Sequence, residues 1–110
     1  MAPPDDRRTS GARLDAPETA PAVGERTVAL ATARGFTVEQ ILSGTLAEGV
    51  DYVQAHDEWV VVLAGSAVLE VDAELRELRT GDWLLLPAGT PHRLVTTEPK
   101  TSWLAVRSTT

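Results

Sequence analysis

There is no cysteine in the 110-residue chain, which removes a disulfide framework, a thiolate metal site and a thiol nucleophile together. Any metal would have to be held by nitrogen and oxygen ligands. Aromatic residues are scarce: one Tyr, one Phe and three Trp. Positive charge is scarce too. Ten Lys and Arg against sixteen Asp and Glu give a formal net charge of -6, which opposes attraction to phosphate backbones, and no Lys/Arg cluster creates a local exception. Nucleic acid is therefore not an expected partner. Arg7 and Arg8 form the best basic pair, but Asp5 and Asp6 precede them directly, which reads as a solvated tail. No apolar run is long enough for a membrane span, and none follows the charged residues near the N-terminus as a secretory signal requires. The expectation is a cytoplasmic chain without membrane contact.

What is present falls into two textures. Residues 1–26 hold four of the seven prolines, Pro3, Pro4, Pro17 and Pro21, among Ala, Thr, Asp and Glu. Such a segment has little apolar surface to offset the entropy of ordering. It is expected to be a flexible leader whose removal leaves stability unchanged. From Thr27 onward short β-rich runs alternate with turn residues at intervals of about 8–12 residues, the spacing of a sandwich or barrel. These runs are Thr27 to Ala31, Phe36 to Leu42, Trp59 to Leu63, Ala67 to Val71, Leu75 to Leu78, Trp83 to Leu86, His92 to Thr96 and Trp103 to Val106. Helix is the competing reading for Asp72 to Arg79 on composition, but Gly81 follows too soon for a useful helix. The fold expected is all-β, a single domain over residues 27–110.

Within Phe36 to Leu42, the apolar Phe36, Val38 and Leu42 alternate with Thr37 and Glu39, which places Gln40 on the apolar face as an inward polar group in need of a partner. The runs Val60 to Leu63 and Leu84 to Leu86 are apolar on both faces. Such strands are covered on both sides, by the barrel interior and by another sheet or subunit.

The stretch Gly81-Asp-Trp-Leu-Leu-Leu-Pro87-Ala-Gly89-Thr-Pro-His92 resembles the second conserved motif of the cupins, G-x5-P-x-G-x2-H, at each of those fixed positions. Physically, Gly81 and Gly89 permit sharp turns at either end of a buried strand, Pro87 closes it, and His92 opens the returning strand. The Asn that closes the family motif is Thr96 here. Only the second half of the first cupin motif is present: Glu58, six residues, then Gly65. Counting back from Glu58 puts Gln54 and Tyr52 where the family has its metal-binding histidines, while His56 lies between Gln54 and Glu58 out of register. The string Tyr52-Val-Gln54-Ala-His-Asp-Glu58-Trp59 resembles small single-domain cupins in which Tyr-x-Gln replaces His-x-His. The resemblance covers about residues 36 to 107. It implies a jelly-roll barrel of two antiparallel sheets with a central pocket, often a homodimer.

The candidate site follows from those residues. His92 can be a metal ligand or a general acid/base group, or a buried histidine bonded to backbone. Glu58 precedes six uncharged residues, so an inward carboxylate needs a metal, a cation or a donor such as Arg93. Gln54 offers an amide to a substrate or a carbonyl oxygen to a hard metal. Tyr52 can donate to a developing oxyanion or be a half-buried aromatic. Glu58, His92 and Tyr52 are the catalytic candidates, Gln40, Gln54 and Arg93 the substrate-binding ones. Gln54, Glu58 and His92 are the candidate ligands of a weakly held divalent metal, with His56 as the alternative ligand. Trp59 lies on the opposite strand face from Glu58, which makes it the first candidate for a dimer anchor.

No serine sits in a strand-turn-helix nucleophile context and no glycine-rich loop precedes a helix, so hydrolase and nucleotide-cofactor readings are set aside. The function expected is a small-molecule enzyme with its substrate inside the barrel, of isomerase, dehydratase or cyclase type. Dioxygenase chemistry is disfavoured by the missing histidine pair. The alternative is a non-catalytic binding or sensing barrel.

Overall fold

A computed structural model describes residues 9–109. Among them nine strands run in chain order: β1 (Glu25–Ala33), β2 (Phe36–Ser43), β3 (Val50–Tyr52), β4 (Glu58–Ala64), β5 (Ser66–Val71), β6 (Glu74–Arg79), β7 (Trp83–Leu86), β8 (His92–Thr97) and β9 (Thr101–Ser108). They form two antiparallel sheets, one ordered β1-β2-β9-β4-β7 and the other β3-β8-β5-β6. The sheets close over a core of Val60, Val62, Ala67, Leu69, Leu78, Leu94, Trp103 and Ala105. This is the jelly-roll barrel expected of the chain. No helix among the described residues is long and apolar enough to cross a membrane.

Alternation along the strands decides which residues reach the interior. In β4, Glu58, Val60 and Val62 are buried while Trp59 and Val61 are half-exposed. On β9 the partners of those inward residues are Arg107, Ala105 and Trp103, and on β7 Leu86 lies opposite Glu58. The 72–79 segment is strand rather than helix over Glu74–Arg79. A two-residue turn makes the β5–β6 hairpin, with Asp72 and Ala73 at φ 51° and 63°, the mirror-image turn geometry that suits the strand twist. Gly81 and Gly89 sit at φ 92° and 80°, conformations that side chains resist, at the two ends of the β7 segment.

On β2 the sequence reading put the wrong face inward. Glu39 and Ile41 line the barrel cavity, and Gln40 lies on the opposite face beside Leu42. Both are nonetheless buried, at 1% and 0% exposure, because the N-terminal segment helps to cover them. The first eight residues of the expected leader lie outside the described residues. From residue 9 the chain is extended, with one 3-10 turn at Pro17–Thr19, and it enters β1 at Glu25. The backbone N–H of Asp15 donates to Gln40 Oε1 at 3.0 Å. In return Gln40 Nε2 donates to the Asp15 carbonyl at 2.9 Å and to Ser102 Oγ at 3.0 Å. Gln40 is therefore a docking residue for the chain's own N-terminal segment, not a substrate-binding one.

Further contacts tie the same segment down. Arg26 pairs with Asp15 at 3.2 Å, and the Gly24 N–H donates to the Thr45 carbonyl at 2.8 Å. A Cβ at Gly44 would collide with the Pro21 and Ala22 carbonyls, so the close crossing there depends on glycine. Composition pointed away from docking because the segment is anchored mainly by hydrogen bonds, which a tally of apolar residues does not register.

Removing residues 1–21 is expected to destabilise the barrel by about 2 kcal/mol, since two polar groups of a buried amide lose their partners. That is a drop of several degrees in Tm for a domain of this size. Gln40→Leu in the shortened chain should recover part of the loss. Thermal melting checks this, and an unchanged Tm on truncation would show that the docking contributes nothing.

Candidate functional site

Between the two sheets lies a half-open cavity of about 170 Å³. Its apolar wall includes Ile41, Val60, Leu69, Leu86, Leu94 and Trp103, and its polar wall Glu25, Glu39, Tyr52, Gln54, Glu58, His92 and Arg107. Five of the sequence candidates are thus placed clearly. Tyr52, Gln54, Glu58 and His92 come together at the cavity, from the end of β3, the loop after it, the start of β4 and the start of β8. Arg93 does not join them. It alternates away from His92 onto the outer face of its sheet and pairs with Asp51 at 2.9 Å, so neither substrate in the barrel nor Glu58 can use it.

Glu58 is buried, at 8% exposure. Its carboxyl pKa is raised above the ordinary value of 4.5 chiefly by that burial, against the opposing pull of a hydrogen bond from the Gln54 amide and of the His92 and Arg107 charges. Desolvation wins because an apolar wall cannot replace the hydration of a carboxylate. His92 is equally buried. Its Nδ1 lies 3.0 Å from the Thr90 carbonyl oxygen, which can only accept, so Nδ1 carries a proton and Nε2 is the acceptor nitrogen of the neutral ring. The Tyr52 ring stacks on the imidazole, with centroids 5.5 Å apart and planes 18° apart. Burial first, then the Glu25 charge and hydrogen bond, push the Tyr52 hydroxyl up to about 12. It remains a neutral donor throughout the physiological range.

Three lining residues were missed in the sequence: Glu25, Glu39 and Arg107. Glu25 arrives on β1 from the supposed leader. It accepts from Tyr52 Oη at 3.3 Å and from Ser43 Oγ at 2.6 Å, and Ser43 in turn accepts from Trp103 Nε1 at 3.0 Å. Arg107 lies directly across from Glu58 on the neighbouring strand, but its guanidinium pairs with Glu39 at 2.8 Å. The signal that could have revealed Glu39 and Arg107 was the alternation itself, with β2 read in the other phase.

The donor set does not fit a resident metal ion. Gln54, Glu58 and His92 supply one imidazole, one carboxylate and one amide, and that amide already donates to the carboxylate. Among the described residues no group of three or more His, Asp or Glu is placed to hold a metal. A single imidazole with oxygen donors is a weak set for later transition metals. His56 cannot complete it: the residue lies in the loop before β4, outside the cavity lining. Its Nε2 is buried with no partner among the described residues.

Comparison with known proteins agrees with this architecture. The family profile for the cupin domain matches residues 38–107. No curated protein matches the sequence significantly. Among solved structures, a protein of Ralstonia eutropha JMP134, provisionally titled a mannose-6-phosphate isomerase, is 35% identical. That match has a TM-score of 0.75 and covers 92% of this chain and 98% of the other. KdgF from a Halomonas species is 24% identical with a TM-score of 0.67, covering 77% and 78%. An RmlC-like cupin from Shewanella frigidimarina NCIMB 400 is 18% identical with a TM-score of 0.71, covering 96% and 93%. The last two likenesses concern the fold alone.

The raised Glu58 pKa has a consequence for stability. Because the folded state holds this proton more tightly than the unfolded one, the contribution of the protonated carboxyl is full below pH 4.5 and is lost as pH rises through the folded-state value. Glu58→Gln, which keeps the shape without the charge, is expected to raise Tm near pH 7 and to lose that advantage below pH 4.5. Melting curves across this range check it. An advantage that instead grows on acidification would contradict the burial argument.

Proposed function

Because the chain belongs to the cupin family, whose barrels enclose a central pocket, we propose that it is an enzyme moving protons on a small hydroxy-carbonyl compound held in that pocket. One observation carries the reading: a buried carboxyl with a raised pKa stands in the cavity beside an imidazole whose free nitrogen is an acceptor. A carboxyl that holds its proton beside an imidazole nitrogen able to accept one forms an acid/base pair. The provisional isomerase title of the 35%-identical relative is in keeping with it.

In this reading Glu58 donates its proton to the carbonyl oxygen as His92 Nε2 takes a proton from the adjacent carbon, leaving an enediol. The collapse reverses both transfers at neighbouring positions. His92 returns its proton to the former carbonyl carbon, and Glu58 recovers one from the hydroxyl on the carbon that first lost its proton. Gln54 holds the Glu58 carboxyl through its amide N–H, and the stacked Tyr52 ring fixes the plane of the imidazole. The apolar wall limits water, which would otherwise compete for both protons. No step is assigned to a metal, since the residues present do not form a ligand set for one.

The second element of the proposal is a homodimer built on the outer face of the five-stranded sheet. Trp59 packs on Trp83 there, with ring centroids 6.2 Å apart, and Trp83 and Leu85 are 60% and 56% exposed. The outward positions of β4 and β7, Trp59, Val61, Leu63, Trp83 and Leu85, carry no charge. A second copy of a chain with net charge -6 therefore meets an apolar surface with no like charge on it, and a two-fold axis makes the patch self-complementary.

Incubation with a panel of three- to six-carbon hydroxyaldehydes and hydroxyketones in D2O should give deuterium at the carbon beside the carbonyl, read by proton NMR. Glu58→Gln should slow that exchange by at least about 100-fold, the usual contribution of a positioned proton-transfer group. Absence of exchange with every compound, while a compound still binds, would make the pocket a recognition site. Sedimentation at tens of micromolar, an order suited to a standard-sized interface, should show a dimer that Trp83→Glu converts to monomer. A monomeric parent chain would remove the dimer.

A further inference from the structure

The polar atoms around the cavity divide unevenly into donors and acceptors. Each donor has a partner: Tyr52 Oη donates to Glu25, the Gln54 amide to Glu58, and one nitrogen of the Arg107 guanidinium to Glu39 at 2.8 Å. The acceptors have capacity left. Gln54 Oε1 is buried with no partner among the described residues, which is costly unless a ligand supplies a donor. His92 Nε2 is an acceptor by tautomer, and the Glu25 carboxylate can accept beyond its bonds from Ser43 and Tyr52. The formal charges run the same way. Two carboxyl groups, Glu25 and Glu39, face one guanidinium, Arg107, beside Glu58, whose burial favours its protonated form.

We propose that this cavity selects a small uncharged ligand rich in hydroxyl donors and rejects the phosphate ester of the same compound, with Glu25 and Glu39 as the residues that set this specificity. The proposal rests on the hydroxy-carbonyl reading above and concerns the ligand's charge and hydrogen-bonding sense. An incoming phosphate would bring two negative charges against Glu25 and would have to compete with Glu39 for Arg107. Juxtaposed like charges in a partly desolvated site cost several kcal/mol. A polyhydroxy ligand meets the opposite situation, since each hydroxyl proton finds a waiting acceptor. Size adds a second constraint. A cavity of about 150 Å³ accommodates benzene, so about 170 Å³ encloses a compound of about six non-hydrogen atoms such as dihydroxyacetone, with larger homologues reaching toward the mouth. Glu25 ties this selectivity to the N-terminal segment, because β1 carries it into the barrel.

The test compares dihydroxyacetone with dihydroxyacetone phosphate on the full chain, following the indole N–H resonance of Trp103 by NMR. Trp103 lines the cavity whereas Trp59 and Trp83 lie outside it, so the signal reports on the site itself. Dihydroxyacetone is expected to bind at least about tenfold more tightly than its phosphate ester. Glu39→Gln should release Arg107 and narrow or reverse that preference. Glu25→Gln should weaken the neutral ligand and lessen the penalty on the ester. Should Glu25→Gln fail to fold, Glu39→Gln still decides, since Glu39 bonds only to Arg107 among the described residues. Tighter binding of the ester by the parent chain, or a Trp103 response to neither compound, would overturn the proposal, as would an unaltered preference in Glu39→Gln. Binding is read without turnover, so loss of proton exchange with the preference intact would count against the catalytic reading alone.

Discussion

The constraint on which the rest depends is the two-residue period of the strands at the barrel wall. Each strand allots its side chains alternately to the cavity and to the outside, and antiparallel pairing aligns those allotments across the sheet. Once Glu58 faces inward on β4, pairing brings Arg107 in on β9 and Leu86 in on β7. The neighbouring residues Trp59, Trp83 and Leu85 must then face out. A polar cavity and an apolar exterior patch are two outcomes of one register, and a one-residue slip in β4 would exchange them.

The same period explains what was legible in the sequence and what was not. The second cupin motif could be read because its fixed residues each answer a local geometric need: glycine for positive φ at 81 and 89, proline at the strand end, histidine at the start of the return. Glu58 and His92 were therefore placed without knowledge of the sheet. On β2 the local pattern misled, since Gln40 and Leu42 are as buried as core residues while lying on the outer face. Cover for Gln40 came from Asp15, 25 residues away in sequence, and hydrophobic alternation cannot distinguish cover by the opposite sheet from cover by a docked strap. Gln54, Glu58, His92 and Tyr52 do line the cavity, whereas Arg93 was assigned inward although it follows the inward His92 by one residue. Glu25 could not be found by motif at all, because its place depends on the strap that composition read as a free leader.

The strap and the cavity are mechanically connected. Asp15 bonds to Gln40 on the outer face of β2, and the same chain continues into β1, whose Glu25 reaches the cavity beside Tyr52. From Glu25 a line of hydrogen bonds runs through Ser43 to the Trp103 indole, so with Tyr52 the carboxyl is held by donors from two strands, one of them backed by a third. Such hydrogen bonds fix the half-buried Glu25 carboxyl in place, while Glu58, held by a single amide in a drier setting, tends toward its protonated form.

Electrostatic division of labour then follows from environment rather than residue type. Glu25, Glu39 and Glu58 are chemically identical side chains, yet one is anchored by hydroxyl donors, one neutralised by a guanidinium, and one kept short of compensation by apolar neighbours. The last has its pKa raised. The Glu39–Arg107 pair occupies the one arginine among the described residues that line the cavity, and the His92 imidazole in its neutral form adds an acceptor. A barrel that in other cupins can be organised around three imidazoles is here organised around carboxyls and an amide. Its chemistry is accordingly set by where protons are held and by which ligand can supply hydrogen-bond donors to the acceptors that the protein leaves open.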